Sequence, residues 1–522
     1  MSSVAISAKP RLADQPWRPA ANPWLITIAV MLGTFMEVLD TSVANVALPH
    51  IAGNLAASQD EATWVLTSYL VSNAIVLPAT GWLSRTFGRK NFLLFCIGLF
   101  TVASFLCGAA TNLPLLIAAR ILQGAGGGAL QPIAQAILLE SFPVAKRGLA
   151  MAAYTLGIVF APIIGPTLGG WITDNYSWRW VFYINIPVGI LAAYMIWSLI
   201  EDPPHIRNAA RTSIDYLGFG LMALWLSTFQ IIMDKGQQDD WLGAAWIRWA
   251  TAICILSFVG FIVRELMAKE PIVNLRVLKN RNFALGLMVV TVVGLVLYGT
   301  TALIPEFLQG LMGYTALASG LTVSPRGIGS ILAIVVVSRL MGRVDSRLLI
   351  AAGLGLLAIS SWELGNLSLD VSSTSVTWPM IINGAAISML FVPLSVVTTS
   401  TLKVEEMGNA TGLYNLMRNI GGSVGISMTT TLLARQSQSH QSILAAHITP
   451  YDPATQQTLL GLIQKMSPEQ ALGVLYHRVS EQAALWGFVS NFRAMAIMCA
   501  ACIAMAFVFR KAQAPKGPIA VH

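Results

Sequence analysis

The chain has 522 residues, of which 55% are hydrophobic and only 11% charged, with a formal net charge of +8. Soluble domains carry about 25% charged residues, so a soluble fold is excluded, and the mean hydropathy of +0.66 agrees. The apolar runs are about 20 residues long rather than ~10 residues of alternating character, which excludes a transmembrane β-barrel and leaves an all-α integral membrane protein.

Residues 1–22 (MSSVAISAKPRLADQPWRPAAN) are polar and contain several prolines. No separate apolar segment with a cleavage site follows, so they read as a short tail rather than a cleaved signal peptide. Fourteen apolar spans come next. The first six (24–46, 62–83, 91–110, 113–138, 149–173 and 180–200) make an N-terminal bundle within 23–200. Spans 7 and 8 (214–233 and 244–266) form an inserted pair within 214–266. The last six (283–305, 316–338, 347–368, 377–400, 410–433 and 485–509) form a C-terminal bundle within 283–509, and residues 510–522 are a second tail. Short basic turns, GWLSRTFGRK after span 2 and RLMGRVDSR after span 10, mark a weak repeat. Two parallel six-span bundles of that kind are a transporter arrangement.

Of the 32 Lys and Arg residues, 22 fall in the N-tail, the even-numbered loops with the span ends beside them (Arg264 and Arg347) and the C-tail, and five in the odd-numbered loops. The excess puts both termini on the cytoplasmic side. One loop is long: residues 434–484, between spans 13 and 14, on the outer side. Within it Ser467-Pro468-Glu469-Gln470 reads as a helix start, with Ser as cap, Pro at the first position and Gln at the third. Two helices near the membrane surface are expected there.

Five cysteines (Cys96, Cys107, Cys254, Cys499 and Cys502) all lie in spans. The Cys499-x-x-Cys502 pair reads as small-residue packing, because no histidine cluster supports a metal. No Walker A motif occurs, and no nucleophile with its base is found. Neither a cofactor nor an enzymatic activity is expected.

Charges inside the spans are few: Glu37, Asp40, Arg120, Arg326, Glu363 and Arg418, with Glu306 and Arg493 nearer the ends. An Asp or Arg at mid-bilayer costs roughly 2.5–3.5 kcal/mol, so each needs a reason. Glu37 and Asp40 are three apart and share a helix face. Desolvation disfavours the ionised carboxylate, so in a water-accessible cavity such a group loads and releases a proton. The alternative is a structural ion pair, for instance with Arg120. Arg120 cannot deprotonate and needs a carboxylate, a carbonyl or water; it is either a modulator of the acid's charge state or a static tether. In span 5, GIVFAPIIGPTLGG combines Gly157, Pro162, Gly165, Pro166, Gly169 and Gly170, which suits a tightly packed, sealing helix or an ordinary kinked one. In span 13, Tyr414, Asn415 and Arg418 are weaker candidates for a cavity wall, as is Asn45 in span 1. Arg418 either lines the cavity or pairs with Glu306 or Glu363.

Six stretches in order then carry a resemblance: LDTSVANVALP (39–49), RILQG (120–124), GIVFAPIIGPTLGG (157–170), WRWVFYINIPVG (178–189), PIVNLRVLKNRNF (271–283) and GLYNLMRNIGGSVG (412–425). Over nearly its whole length the chain resembles the fourteen-span drug:H⁺ antiporters of the major facilitator superfamily, and among them the EmrB-type pumps. In GWLSRTFGRK, Arg85 stands where the superfamily has an Asp, which puts that motif's latch in doubt. The resemblance implies proton-driven export of amphipathic toxic compounds across a bacterial inner membrane. Asp40 and Glu37 would carry the proton, Arg120 would tune them, and spans 1–6 would rock against spans 9–14. It also implies a periplasmic EmrA-like adaptor and a TolC-like outer-membrane channel, with loop 434–484 as a docking surface or a cover for the outer gate. An adaptable, Met- and aromatic-lined substrate site is expected. The rival readings are an exporter dedicated to one metabolite, such as a siderophore or fatty-acid-like compound, an uptake symporter, and a membrane sensor or scaffold.

Overall fold

The structure is a computed structural model and describes residues 19–57, 59–203, 206, 215–268, 271–341, 343–402, 406–449 and 451–509. Residues 1–18 of the expected N-tail and all of the expected C-tail, 510–522, lie outside the described residues. The described residues are helical throughout, with one isolated bridge between Met341 and Val344.

The first bundle region contains α1 (Pro23–Asn54), α2 (Trp64–Phe87), α3 (Arg89–Ala109), α4 (Leu113–Gly127), α5 (Leu130–Ser141), α6 (Val144–Asn175) and α7 (Asn185–Leu199). Next come α8 (Tyr216–Lys235) and α9 (Ala245–Met267). The remainder is α10 (Arg281–Glu306), α11 (Ala316–Val323), α12 (Arg326–Leu340), α13 (Ser346–Leu364), α14 (Ser373–Thr399), α15 (Met407–His447), α16 (Pro453–Ile463) and α17 (Pro468–Val508). Their starts follow from local chemistry. Pro23 opens α1, and the Asn22 side chain accepts from the Trp24 N–H at 3.0 Å. Asn112 and Pro114 do the same for α4, and Asp345 caps α13. Each side-chain oxygen satisfies a backbone donor that the first turn leaves unpaired.

Among the described residues, twelve helices are long and apolar enough to cross a membrane, counting α4 with α5 and α11 with α12 as single spans. Spans 2 and 13 of the sequence reading are not among the twelve. They correspond to α2 and α15, whose buried faces carry Thr67, Ser68, Ser72, Asn73, Thr80 and Ser84, and Asn409, Thr411, Asn415 and Arg418. These helices are polar because of what they face inside the protein. Large apolar side chains elsewhere point outward, including Phe95 on α3, Trp197 on α7, Leu256 on α9 and Leu332 on α12. Exposed apolar surface on that scale suits a hydrocarbon environment.

Two differences from the sequence reading concern continuity. Span 4 breaks between α4 and α5 at Gly128 and Ala129, and span 10 breaks between α11 and α12 at Ser324 and Pro325. The segment 434–484 is less separate than expected. Its first part continues α15 to His447, since RQSQSHQSILAAH has neither Gly nor Pro to stop it. The Ser467 start is formed as a reciprocal capping box, with Gln470 N–H donating to Ser467 Oγ at 3.3 Å and Ser467 N–H to Gln470 Oε1 at 3.1 Å. The helix it opens is α17 itself, which runs on through span 14. At 41 residues each, α15 and α17 are about 60 Å long, twice a hydrocarbon core.

The largest apolar core gathers residues of α10, α13, α14, α15 and α17, and Met222, Trp225 and Leu226 of α8 join it. The first seven helices hold separate cores, one around Ile97, Leu138 and Ile196 and another around Val43, Trp178 and Phe182. Two seams join these regions. Along one, α2 meets α15 so closely that a Cβ on Gly81 would lie 2.8 Å from the Asn409 nitrogen. Along the other, α6 meets α12 and α14 through Ala152, Leu156, Ile334, Val337 and Val392.

Candidate functional site

Glu37 and Asp40 sit about one turn apart on α1, yet their surroundings differ. Asp40 is 1% exposed. Its Oδ2 accepts from Arg120 Nη1 at 2.6 Å, and its Oδ1 accepts from Gln123 Nε2 at 2.9 Å and Asn185 Nδ2 at 2.7 Å. Arg120 also donates to the Val65 carbonyl at 3.0 Å and to Gln123 Oε1 at 2.7 Å, with its guanidinium 4.3 Å over the Tyr69 ring. Ser104 Oγ accepts from Asn185 at 2.9 Å and from Gln123 at 3.2 Å, and donates to the Phe182 carbonyl at 2.8 Å. One carboxylate therefore ties together α1, α2, α3, α4 and the start of α7. A buried ion pair is stabilised when its remaining lone pairs and protons are matched; Gln123, Asn185 and the Val65 carbonyl supply most of these bonds, and Arg120 Nη2 is left without a partner. The glycines after Arg120 let α4 approach: a Cβ on Gly126 would lie 2.7 Å from the Phe100 nitrogen of α3.

Glu37 is buried too, but its carboxylate is largely uncommitted. Oε1 accepts from Asn73 Nδ2 at 3.2 Å, while Oε2 has no partner. It forms no ion pair among the described residues. Glu37 borders a narrow cleft of ≈ 10 Å³, room for about one water, with Asn73, Leu77, Gln131, Asn415, Arg418 and Asn419. The cleft lies where α5 meets α15. Arg418 Nη2 donates to Gln131 Oε1 at 2.6 Å, and Asn415 Nδ2 donates to Gln135 Oε1 at 3.1 Å.

Glu37, Asn415 and Arg418 are thus brought together, and Asp40 and Arg120 are joined in a separate network beside them. Arg418 pairs with neither Glu306 nor Glu363, both of which are exposed. Asn45 is exposed and donates to the Thr41 carbonyl of its own helix at 2.9 Å, away from the cleft residues. Tyr414 lies in the large apolar core. The span-5 glycines face α1: Gly157 abuts Met31, Gly165 abuts Ser42, and a Cβ on Gly169 would lie 2.8 Å from Val43 Cγ1. Gly170 is looser, Pro162 is exposed, and the Pro166 side chain lies outside the described residues. Cys499 and Cys502 are buried free thiols.

The neutral amides Asn73, Gln123, Gln131, Gln135 and Asn185 escaped a sequence reading that searched the spans for charge. One signal was available. Gln123 stands three residues after Arg120, so the two side chains share a helix face.

Chemically, the arrangement offers one carboxylate clamped by a guanidinium and another open to a cleft between two helix groups. A proton on the second would leave the first network intact.

The Major Facilitator Superfamily model matches residues 30–426. The chain is 38% identical over 487 residues to the fatty acid resistance protein FarB of Neisseria gonorrhoeae, covering 92% of this chain and 95% of that protein. It is 35% identical over 462 residues to the multidrug export protein EmrB of Escherichia coli strain K12, covering 88% and 90%. The crystal structure of the human organic anion transporter MFSD10 matches with a TM-score of 0.60 at 11% identity, covering 91% of this chain and 99% of that one. At that identity the likeness is one of fold.

Proposed function

Because this chain belongs to the major facilitator superfamily, we propose that it is a proton-driven antiporter that exports amphipathic toxic compounds. The observation that carries the reading is Glu37, a carboxylate with one unpartnered oxygen at a cleft between the two helix groups. Glu37 is the proton carrier. Asp40, Arg120, Gln123 and Asn185 form the rigid block that holds α1 at its side. Arg418 and Asn415 are the opposing wall, and their bonds to Gln131 and Gln135 part and re-form as the groups rock. The names of FarB and EmrB support export as the direction and drug-like or fatty-acid compounds as the cargo.

In this reading α2 and α15 also cross the bilayer, which makes fourteen crossings. Their lengths of 24 and 41 residues suffice. The domains are then residues 23–200, the inserted pair in 214–266 and residues 283–509, with both termini cytoplasmic on the distribution of Lys and Arg. The inner membrane is the location. The outer extensions of α15 and α17, with α16 between them, are the surface for an EmrA-like adaptor feeding a TolC-like channel. A narrower reading, an exporter dedicated to fatty-acid-like compounds, is favoured by the extent of the match to FarB.

The test is substrate-triggered proton movement in proteoliposomes with an imposed pH gradient, using tetraphenylphosphonium and decanoate as separate substrates. Dissipation of the gradient by either substrate, dependent on the protein, is expected. Transport of both without any proton movement would overturn the antiport reading.

A further inference from the structure

Arg326 opens α12 immediately after Pro325. On the same helix Ile328, Leu332, Val335 and Val336 are exposed. At about 100° per residue they point roughly 180–280° around the axis from Arg326. The apolar side faces lipid, so Arg326 faces the protein interior. There its Nη1 donates to Thr301 Oγ1 of α10 at 3.1 Å, and its Nη2 is screened from solvent with no partner. Its backbone carbonyl packs against Gly384 of α14. Arg326 forms no ion pair among the described residues.

Arg326 is half-buried, whereas the buried Arg120 and Arg89 each have a carboxylate partner. Arg120 pairs with Asp40 and Arg89 with Glu140, while Arg418 donates to the neutral Gln131 and borders the gap that Glu37 lines. A guanidinium stays charged in the membrane and is costly there without a counter-charge. Since the protein supplies none to Arg326, the anion comes with what binds. A guanidinium fork matches a carboxylate with two parallel hydrogen bonds; Thr301, whose hydroxyl donates to the Leu297 carbonyl at 2.7 Å and accepts from Arg326, positions the fork.

Depth places this group near the Glu37 cleft without merging the two. Gly294 of α10 packs on the backbone carbonyl of Arg418, and Thr301 lies seven residues further along α10, about 10 Å away along the helix axis.

We infer that Arg326 and Thr301 form an anion-binding subsite that takes the carboxylate head group of an acidic amphipath on its way through the transporter. The inference rests on the exporter reading and adds the residues that receive the head group of its acidic cargo.

The test is equilibrium binding of radiolabelled decanoate and tetraphenylphosphonium to the full chain in nanodiscs of zwitterionic lipid. The proteins compared are wild type, Arg326→Gln and Arg326→Lys. Arg326→Gln is expected to weaken decanoate at least about tenfold while tetraphenylphosphonium moves less than about twofold, with Arg326→Lys between. An unchanged decanoate affinity, or equal weakening of both probes, overturns the subsite. If Arg326→Gln does not fold, Arg326→Lys decides by the same selectivity. Loss of wild-type decanoate binding in phosphatidylglycerol nanodiscs would assign the site to a lipid head group and overturn the substrate assignment. Wild type that binds tetraphenylphosphonium but not decanoate overturns this inference alone, whereas binding of neither removes the exporter reading as well.

Discussion

Replacing Asp40 by Ala removes the acceptor for three donors: Arg120 Nη1, Gln123 Nε2 and Asn185 Nδ2. Arg120 is left fully buried with its charge unmatched. Breaking a buried ion pair from one side costs about 3–5 kcal/mol. At about 2–4 °C per kcal/mol for a unit the size of the first bundle, the apparent melting temperature should fall by roughly 6–20 °C. Asp40→Asn keeps an oxygen for one neutral donor and should fall in between. The assay is intrinsic-fluorescence thermal unfolding of the purified protein in detergent, at a fixed scan rate because membrane proteins of this size unfold irreversibly. A cycle with Arg120→Met isolates the pair. The double variant's apparent melting temperature should exceed the additive expectation by at least about 2 °C. A fall of less than about 2 °C for Asp40→Ala, or strict additivity in the cycle, would refute the clamped-network account.

Two further substitutions test the packing. Gly126→Val would drive its side chain into the α3 backbone near Phe100 and Cys96; a loss of about 1–3 kcal/mol is expected, seen as lower yield of monodisperse protein and an earlier thermal transition. Gly81→Val cannot be seated without parting α2 from α15 at Asn409. Transport of tetraphenylphosphonium should drop at least about tenfold while the melting temperature moves little, and unimpaired transport would show that this seam does not re-form during the cycle.

Much of the architecture was legible because hydropathy and helix length read the same physics that the bilayer imposes. The Ser467 box was equally explicit, because a cap is a local interaction between residues three apart. The helix breaks at Gly128 and Pro325 and the continuation of α15 past the bilayer were less so. They depend on whether neighbouring helices support the backbone at those points. At the site, the Glu37 and Asp40 pair was visible as misplaced charge, and Arg120 as a partner for one of them. That Asp40 is clamped while one oxygen of Glu37 stays unpartnered was not visible. It is decided by Gln123, Asn185 and Asn73, uncharged residues that reach α1 from three different helices; of these Gln123 alone shares a helix face with a charged residue of the site, Arg120.

The central claim is that Glu37 carries the proton while Asp40 holds the helix. The direct measurement compares gradient-driven uptake with substrate exchange at equal pH on both sides, for Glu37→Gln in proteoliposomes. Glu37→Gln removes a carboxylate with a single 3.2 Å hydrogen bond, so the protein should fold and continue to exchange labelled for unlabelled tetraphenylphosphonium. Its gradient-driven uptake should vanish. Uptake that still follows the pH gradient in Glu37→Gln would contradict the account and return the proton to Asp40.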